Sequence, residues 1–334
     1  MRETTIACAN IVTGMNYLLL GAILMTAHSA SAVTIEKVAY AGWPNCYRMT
    51  NGEVELIVTT DVGPRVIRYG FPGSQNLFAE FTAQLGHSGE ATWQARGGHR
   101  IWVGPEAMPM SYAPDNVPVH VVLGADTIEL TEPVEKNTGF QKTMRVHLAA
   151  SGSQVEVTHS IKNTNPSVRK IASWALTMMA PGGTAVTGFP SRGPHEKMLL
   201  PTNPLVMWGY TNFSDPRWKF TEKYLILRQD PKATLPVKAG LWNKDTWESY
   251  LLGSDLFIKS TTALAGPEAY PDMGCSLETF TNADFLEMET LGPLQSVAPG
   301  QTISHTERWS LHKNVHLTDW TDEELDRVLA PKLK

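Results

Sequence analysis

The sequence predicts an all-β fold in which antiparallel strands pack as a sandwich and one short helix ends the chain. Apolar and polar residues alternate with a period of two through most of the chain, as in half-buried strands. Turn-forming residues recur about every ten positions, which favours a sandwich over alternating βαβ units. Only the C-terminus has a helical pattern, because Thr321 to Glu324 forms a capping box ahead of Leu325 and Val328.

The individual strands follow from this alternation and from the turns between its segments. The predicted strands are 53–58, 65–69, 117–123, 127–131, 143–149, 154–161, 224–228, 246–252, 256–259, 276–280, 285–291 and 302–311. Short Gly-containing turns after residues 123 and 149 predict two hairpins. Residues 71–116 and 181–220 are rich in Gly, Pro and aromatic residues, and we expect ordered loops there that build a site at one mouth of the sheets.

Composition and charge limit the class of protein. Hydrophobic residues make up 42% of the 334 residues and charged residues 18%, which describes a globular chain with a sizeable core. The formal net charge is -5 and the basic residues are scattered, so we expect no nucleic-acid partner. The ten Trp residues are either core residues or platforms that stack on sugar rings.

The N-terminus has the pattern of a secretory signal peptide. An apolar run from Tyr17 to Met25 precedes the small residues Ala30, Ser31 and Ala32, which form a cleavage pattern. This predicts a signal peptide over residues 1–32 and a secreted or periplasmic protein with one domain over residues 33–334. The run is too short to span a bilayer, so no stable membrane span is expected after cleavage, although an uncleaved anchor is the alternative.

Cleavage would remove Cys8 and leave Cys46 and Cys275. In an exported protein these two cysteines are equally compatible with one disulfide and with two separate buried thiols. Export also argues against a reaction that depends on ATP or NAD, and no Gly-rich phosphate loop is present, so we expect no cofactor. The histidines show no spacing typical of metal ligands, and we expect no metal.

One short segment has the densest set of chemically active residues. Arg96 is followed by two glycines, which permit close backbone approach or positive φ, and then by His99, Arg100, Trp102 and Glu106. An arginine can donate two hydrogen bonds to sugar hydroxyls or to a carboxylate, a tryptophan can stack, and a histidine can transfer a proton near neutral pH. The alternative is a structural turn with a satisfied ion pair.

A second cluster is acidic and lies in the late strands. Glu287 and Glu289 are two residues apart and share one face of a strand, and Glu278 belongs to the strand before it. Adjacent carboxylates repel each other, which can raise the pKa of one of them and make it useful as an acid or a base. The alternative is a solvated edge strand. Glu289 is the strongest single candidate.

Two further residues, Arg65 and His159, can each be placed in two ways. Arg65 follows a Gly-Pro turn at the start of a strand, where it points either into the mouth of a site or into solvent. His159 shares a strand face with apolar residues, which favours a satisfied core histidine over a catalytic one.

Three segments resemble the galactose-mutarotase-like (aldose 1-epimerase) superfamily, and more narrowly its DUF4380-type branch. Residues 96–98, followed by a Trp and a Gly, are similar to the RGG-x-P segment of hexose-6-phosphate mutarotases. Residues 154–164 and 174–177 resemble central strands joined through an Asn-Thr turn. Residues 286–290, with Ala-Pro-Gly at 298–300, resemble the strand that carries the family's catalytic glutamate.

The resemblance implies a supersandwich with a carbohydrate site on a concave face. In this family a glutamate base takes the proton of the anomeric hydroxyl while a histidine acid protonates the ring oxygen. The glutamate corresponds to Glu289 or to its neighbour Glu287. The histidine has no counterpart, because Trp174 to Met179 occupies its H-x-Y-F context. His99 is the candidate to replace it from another strand.

Three functions are therefore open at the level of sequence. The first is an exported carbohydrate-active enzyme, an epimerase or a lyase/hydrolase relative, that uses Glu289 with His99 and Arg96 or Arg100. The second is a non-catalytic glycan-binding protein in which tryptophans and paired carboxylates hold a sugar. The third is a structural module of the envelope. The first requires that the basic segment and the acidic strand meet in one cavity.

Overall fold

The computed structural model describes Met1 and residues 33–333. Apart from Met1, the predicted signal peptide lies outside these residues. The strands are β1 (Thr34–Tyr40), β2 (Trp43–Thr50), β3 (Glu55–Thr59), β4 (Arg65–Gly70), β5 (Gly98–Gly104), β6 (His120–Leu123), β7 (Thr127–Thr131), β8 (Phe140–Leu148), β9 (Val155–Asn163), β10 (Arg169–Met179), β11 (Thr184–Gly188), β12 (Leu205–Met207), β13 (Trp218–Phe220), β14 (Tyr224–Arg228), β15 (Val237–Leu241), β16 (Asp245–Leu252), β17 (Asp255–Thr262), β18 (Leu277–Thr281), β19 (Leu286–Leu291), β20 (Gln295–Val297) and β21 (Thr302–His312). The helix α1 spans Asp322–Leu329, and 3-10 turns span His195–Lys197, Pro267–Ala269 and Ala330–Lys332.

These strands form two large antiparallel sheets. In the first sheet the order is β1-β2-β3-β4-β5-β10-β19-β18-β15-β12, and β20 pairs with β10. In the second sheet the order is β13-β14-β11-β16-β17-β21-β9-β8-β7-β6. The apolar residues of the alternating pattern face each other between the sheets, as a two-layer packing requires. The predicted fold class, an antiparallel supersandwich with a short C-terminal helix, is confirmed.

The centre of this core is aromatic. Tyr69 and Phe78 from the first sheet and its flanking loop pack against Phe257 and Trp309 of the second sheet, with ring centroids 5.6–6.2 Å apart. Large rings that meet edge to face fill the space between two twisted sheets and contribute beyond their buried area. This contact holds the two sheets in a fixed relation.

The local predictions can be compared with the observed elements. Both predicted hairpins form, as β6–β7 and β8–β9. Only half of the predicted capping box forms: the Thr321 side chain accepts a hydrogen bond from the Glu324 amide, but the Thr321 amide donates to Asp319 and the Glu324 carboxylate accepts from the Thr318 amide. The helix packs Leu325 and Leu329 onto the outer face of the second sheet.

Treating residues 71–116 and 181–220 as loops was wrong in part. The first range contains β5, a central strand, and the second contains β11, β12 and β13. In β5 the residues that alternate with the inward apolar ones are Arg100 and Trp102, and all seven residues of the strand are buried. Burial on both faces removes the simple polar–apolar alternation that identifies a strand in sequence.

The two cysteines are free and buried. Cys46 packs with Trp43 and Ile67 near one edge of the first sheet, and the Cys275 thiol contacts the carbonyl of Asp272. Of the two alternatives, the structure has two separate thiols. Among the described residues, no helix is both long and apolar enough to span a membrane.

Candidate functional site

The outer face of the first sheet is not solvated at its centre. Strands β5, β10 and β19 lie side by side, and their outward residues include Arg100, Trp102, Trp174, Glu287 and Glu289. In β19 the alternate residues enter the core between the sheets, so the two glutamates must point the other way. The acidic pair is therefore neither on an edge strand nor on a solvated face.

Loops border these central strands and leave a partly open cavity of about 170 Å³. Half of its lining residues are aromatic and five are charged; the lining consists of Trp93, Arg100, Trp102, Glu106, Tyr112, Trp174, Leu176, Met178, Tyr210, Lys238, Phe280, Phe285, Glu287 and Glu289. Pockets for drug-sized ligands have roughly 300–1,000 Å³, so this one fits a smaller molecule of about one sugar ring. Aromatic walls with few, well-placed polar groups are typical of such sites.

Glu289 is held at the floor of this cavity by two donors. The indole nitrogen of Trp174 and the ammonium of Lys238 each donate to its Oε2 at 2.8 Å. Its other oxygen, Oε1, is buried and has no hydrogen-bond partner among the described residues. The carboxylate is thus fixed through one oxygen and presents the other.

Lys238 connects two carboxyl groups and two aromatic rings. Its Nζ lies 2.7 Å from Glu278, an ion pair without hydrogen-bond alignment, and 4.9 and 4.7 Å from the ring centroids of Trp174 and Trp208. Burial disfavours the ammonium, but Glu278 and Glu289 outweigh this and raise the pKa of Lys238 well above its usual range. Burial also raises the pKa of Glu278 well above its usual range, against the effect of Lys238.

Arg100 and Glu287 form the second charged pair. Their Nη1 and Oε1 atoms are 3.0 Å apart, again without hydrogen-bond alignment, and the guanidinium lies 4.5 Å from the Trp102 centroid. Burial raises the pKa of Glu287, Arg100 opposes this rise, and Glu289 adds to it. The neighbouring carboxyl groups of Glu287 and Glu289 therefore sit in different environments, which is how one acid and one base are distinguished.

Glu106 lies at the cavity rim. Its carboxylate accepts a hydrogen bond from the Tyr112 hydroxyl, and the side chain is exposed to solvent. Burial and this carboxylate raise the pKa of Tyr112 above its usual range. Burial also raises the pKa of Tyr210, another lining residue, to about 12, so both phenols remain proton donors at neutral pH.

Arg65 and Arg96 do not line this cavity. Arg65 is fully buried, donates to the carbonyls of Ala95 and Gly97, and pairs with Asp115 at 2.6 Å. Arg96 pairs with the same aspartate at 3.3 Å and with Glu90. The prediction that Arg65 points into a mouth or into solvent is wrong, and neither arginine is placed to bind a ligand in this cavity. They clamp the loop that precedes β5.

The two glycines after Arg96 serve the same structural purpose. Gly97 has φ +95° and a Cβ there would lie 1.9 Å from the carbonyl oxygen of Ala79. Gly98 has φ +71° and its Cβ would lie 2.4 Å from the carbonyl oxygen of Val66. Both positions thus need positive φ and close backbone approach. The segment is a structural turn as far as residue 98 and contributes to the cavity only from Arg100 onward.

His99 lies on the opposite face of β5 from Arg100. Its Nε2 is 2.7 Å from Nε2 of His159, which belongs to the second sheet, and its Nδ1 is 2.8 Å from the Thr177 hydroxyl. The predicted pairing of His99 with Glu289 in one site is therefore wrong, because alternate residues of a strand face opposite ways. His159 lies in the core, as its pattern predicted.

His99, Thr177, His159 and Glu307 form a buried polar network between the sheets, called here the inner network. It contains the one group in the described chain with metal-ligand geometry. Single ligand atoms of His99, His159 and Glu307 lie within 4.8 Å of one another. However, the ammonium of Lys259 already pairs with Glu307 at 2.8 Å, and Thr290 and Trp309 also donate to that carboxylate. A divalent ion there would add charge to a buried carboxylate that is already neutralised, so we assign no metal to it.

Larger depressions occur elsewhere on the described surface. One of about 300 Å³ lies on the outer face of the second sheet and is lined in part by Trp247, Arg308 and Ser310. It contains no buried carboxyl pair, and Arg308 is mostly exposed. The smaller cavity is the better candidate because unpartnered buried polar atoms converge on it, which native structures rarely tolerate without a function.

Comparison with known structures identifies the class of this fold. A galactose mutarotase-like protein from Lactobacillus casei ATCC 334 is similar over 80% of this chain and 100% of its own, with 9% identity and a TM-score of 0.52. A candidate aldose 1-epimerase from Klebsiella pneumoniae subsp. pneumoniae MGH 78578 covers 84% of both chains, with 11% identity and a TM-score of 0.54. The protein Slr1438 from Synechocystis sp. PCC 6803 covers 83% of this chain and 99% of its own, with 11% identity and a TM-score of 0.53.

The described chain therefore has a galactose mutarotase-like fold. No family model matches the sequence, and no curated protein matches it. At these identities the similarity defines the architecture and leaves the activity to be argued from the site.

Sequence reasoning missed Lys238, Tyr112 and Tyr210, and it assigned no role to the indole of Trp174. Lys238 had a usable signal, since Val237, Ala239 and Leu241 alternate with it as in a strand. The two tyrosines lie outside the strands, in covering segments. Nothing in their local pattern indicates that they reach the cavity.

Proposed function

We propose that the outer cavity of the first sheet binds a monosaccharide and interconverts its anomers, as an aldose 1-epimerase-like enzyme. The observation that carries this proposal is the buried pair Glu287 and Glu289 on the floor of an aromatic cavity. Aromatic rings offer apolar faces to a sugar ring, and the carboxyl groups accept and donate its protons. The fold shared with mutarotase-like proteins supports the same class of chemistry.

The different surroundings of Glu289 and Glu287 indicate which carboxyl group acts as the base and which as the acid. Glu289, fixed through Oε2, uses its free Oε1 to take the proton of the anomeric hydroxyl. Glu287, whose pKa is raised by burial, gives a proton to the ring oxygen as the bond between that oxygen and the anomeric carbon breaks. The open aldehyde rotates, and closure in the reverse sense returns both protons and yields the other anomer.

The decisive experiment follows the equilibration of freshly dissolved pure anomers by NMR or polarimetry. The wild type should accelerate it, and Glu289→Gln should lower the rate by about 10²–10⁴-fold, the usual contribution of a positioned acid or base. Glu156→Gln is the matched control, because Glu156 lies on β9 of the second sheet, outside the cavity, and is partly exposed. Equal rates for the wild type and Glu289→Gln on every sugar tested would exclude this enzymatic function.

A second candidate is a non-catalytic carbohydrate-binding protein. It is favoured by one observation: no histidine is among the described residues that line the cavity. It predicts binding on a glycan panel that survives Glu289→Gln, anomer equilibration no faster than in buffer alone, and loss of affinity in Trp102→Ala. Anomerisation that depends on Glu289 would exclude it.

The cellular location belongs to the same proposal. The apolar run and the Ala-Ser-Ala pattern support export to the periplasm or the exterior, with a mature chain that begins near Val33. N-terminal sequencing of the protein recovered from an expressing cell would test this, since an intact N-terminus would contradict cleavage. We also propose membership of the DUF4380-type branch, which rests on the motifs named above.

A further inference from the structure

The strands beneath the cavity are bonded to the second sheet through their inner faces. Strands β5, β10 and β19 present alternate residues to the cavity and to the core between the sheets. Their inward residues include His99, Thr177 and Thr290, whose side chains bond to groups on β9, β17 and β21 of the second sheet. His99 precedes Arg100 in the chain, and Thr290 follows Glu289. The inner bonds therefore act on the immediate chain neighbours of cavity residues.

Lys259 of β17 reaches across the core to the strand that carries the two glutamates. Its Nζ donates to the carbonyl of Met288 at 2.9 Å, and Met288 is the residue between the two glutamates. The same ammonium donates to the carbonyl of Ala175 at 3.4 Å. Ala175 follows Trp174, whose indole donates to Glu289. One cation from the second sheet thus bonds to the backbone of both β19 and β10, directly behind the cavity floor.

Glu307 of β21 acts on the other side of Glu289. It pairs with Lys259 at 2.8 Å and accepts a hydrogen bond from the hydroxyl of Thr290. Burial would raise the pKa of Glu307, but Lys259 and the neighbouring histidines outweigh this and hold it well below its usual range. The carboxylate can then only accept, so Thr290 donates to it and accepts from Nε2 of His305 at 2.7 Å.

The hydrogen bonds through the histidines have a single direction. At one end Lys259 can only donate, to the Thr177 hydroxyl at 3.1 Å, and at the other end the His305 carbonyl can only accept, from Nδ1 of His159 at 3.1 Å. Burial lowers the pKa values of His99 and His159, so both rings are neutral at pH 7. His99 therefore donates from Nε2 to His159, and its Nδ1 accepts from Thr177.

Stability alone does not explain this polar layer. A buried ion pair contributes little compared with apolar residues of the same volume. A fully connected polar network, in contrast, fixes a unique arrangement of its members. The members here are fully buried, and none of their side-chain N or O atoms lacks a partner within the described chain: His99, His159, Thr177, Lys259, Thr290 and Glu307.

We propose that Lys259, Glu307 and Thr290 are positioning residues for the proposed reaction. Through the backbone of β19 they hold the two cavity glutamates, Glu287 and Glu289, where proton transfer needs them. The inference rests on the proposed function, because it assigns these residues a part in that reaction. None of the three lines the cavity, so their loss should affect the chemical step and not the binding of the sugar.

A pair of substitutions at Thr290 tests the proposal. Thr290→Val keeps the shape of the side chain and removes the hydroxyl, whereas Thr290→Ser keeps the hydroxyl. Rates of anomer equilibration at increasing sugar concentration give kcat and KM. We expect Thr290→Val to lower kcat about tenfold or more with KM within about twofold of the wild type, and Thr290→Ser to restore most of kcat. Thr279→Val is the matched control: Thr279 is also buried, on β18, and its hydroxyl has no partner among the described residues.

The double variant Lys259→Met/Glu307→Gln removes both charges and leaves neither one unpaired. It should lower kcat by about 10²-fold, as a displacement of about 1 Å in a reacting group can do. Thermal unfolding shows which variants are folded at the assay temperature, and the Thr290 pair decides if the double variant is not.

The outcomes separate this inference from the proposed function. If the wild type does not accelerate equilibration, the proposed function fails and the positioning role fails with it. If the wild type is active and folded Thr290→Val has an unchanged kcat, only the positioning role is overturned. The same holds if Thr290→Ser or Thr279→Val loses as much activity as Thr290→Val.

Discussion

The ammonium of Lys238 lies 2.8 Å from Oε2 of Glu289, between the rings of two tryptophans and with Glu278 on its other side. One positive charge thus serves two carboxyl groups in a buried region. Removing one partner of a buried ion pair costs more than the pair contributes, because the remaining charge stays buried. The stability of the cavity floor therefore depends on this lysine.

Lys238→Met should lower the free energy of unfolding by about 3–5 kcal/mol, the usual cost of breaking a buried pair. Urea denaturation measures the change. The double variant Lys238→Met/Glu278→Gln should recover part of the loss, since it removes one of the two uncompensated acids. Lys219→Met, at an exposed position of β13, should change stability little. An additive double variant would show that Lys238 and Glu278 are not coupled.

Trp174→Phe should reduce catalysis more than binding. Phenylalanine keeps an aromatic ring beside Lys238 but removes the N–H that fixes Oε2 of Glu289. A hydrogen bond to a charged group contributes about 1.5–3 kcal/mol, so kcat should fall about tenfold or more while KM changes little. Trp242→Phe is the control, because the Trp242 indole donates to the Ala265 carbonyl and does not line the cavity. Equal effects of the two substitutions would contradict a positioning role for Trp174.

Gly98→Ala should destabilise the protein far more than Gly73→Ala. The two glycines have nearly the same φ, +71° and +72°, so the strain from positive φ is the same, about 1–2 kcal/mol. They differ in the room available for a side chain. A Cβ at Gly98 would lie 2.4 Å from the carbonyl oxygen of Val66, whereas no heavy atom lies within 4 Å of a Cβ at Gly73. The additional loss at Gly98 should reach about 3 kcal/mol or prevent folding. Thermal unfolding of both variants measures the difference, and similar midpoints would refute the close approach.

The sequence defined the β-architecture well because period-two alternation survives wherever one sheet face is solvated, as in β8 and β9. It defined the site less well for a physical reason. The central strands β5, β10 and β19 are buried on both faces, so apolar, charged and aromatic residues follow one another without a clear period. The pair Glu287 and Glu289 was still recognisable, because two like charges at alternate positions stand out.

The sequence could not show which face of β5 lines the cavity and which face points into the core between the sheets. Arg100 and His99 are neighbours in sequence and equally plausible as site residues, yet a one-residue step separates the cavity from the core. The assignment depends on long-range pairing, in which Leu176 of β10 lies opposite both Arg100 and Glu289. Such contacts join residues far apart in the chain and leave no local pattern.

The inner histidines give a further prediction, on the pH dependence of stability. Burial lowers the pKa of His159 to about 4 and that of His305 to about 3, and it lowers the pKa of His99 well below its usual range, against the effect of Glu307. The folded state therefore excludes protons that the unfolded chain binds below about pH 6.5. Stability from these groups is fully present above that pH and is lost as the pH falls towards the folded pKa.

Replacing one of these histidines should reduce this loss. Each contributes a slope of up to about 1.4 kcal/mol per pH unit between about pH 6 and 4.5, so unfolding free energies of His159→Gln should fall less steeply than those of the wild type by that amount. The test compares the slope of the variant with that of the wild type, not the absolute slope. Glu278 and Glu287 have raised pKa values, so their effect on the pH dependence of stability has the opposite sign to that of the histidines and is present in both proteins. His120→Gln, on exposed β6, should keep the wild-type slope. Parallel curves for His159→Gln and the wild type would mean that His159 takes up its proton without unfolding, and that the inner network tolerates a charge.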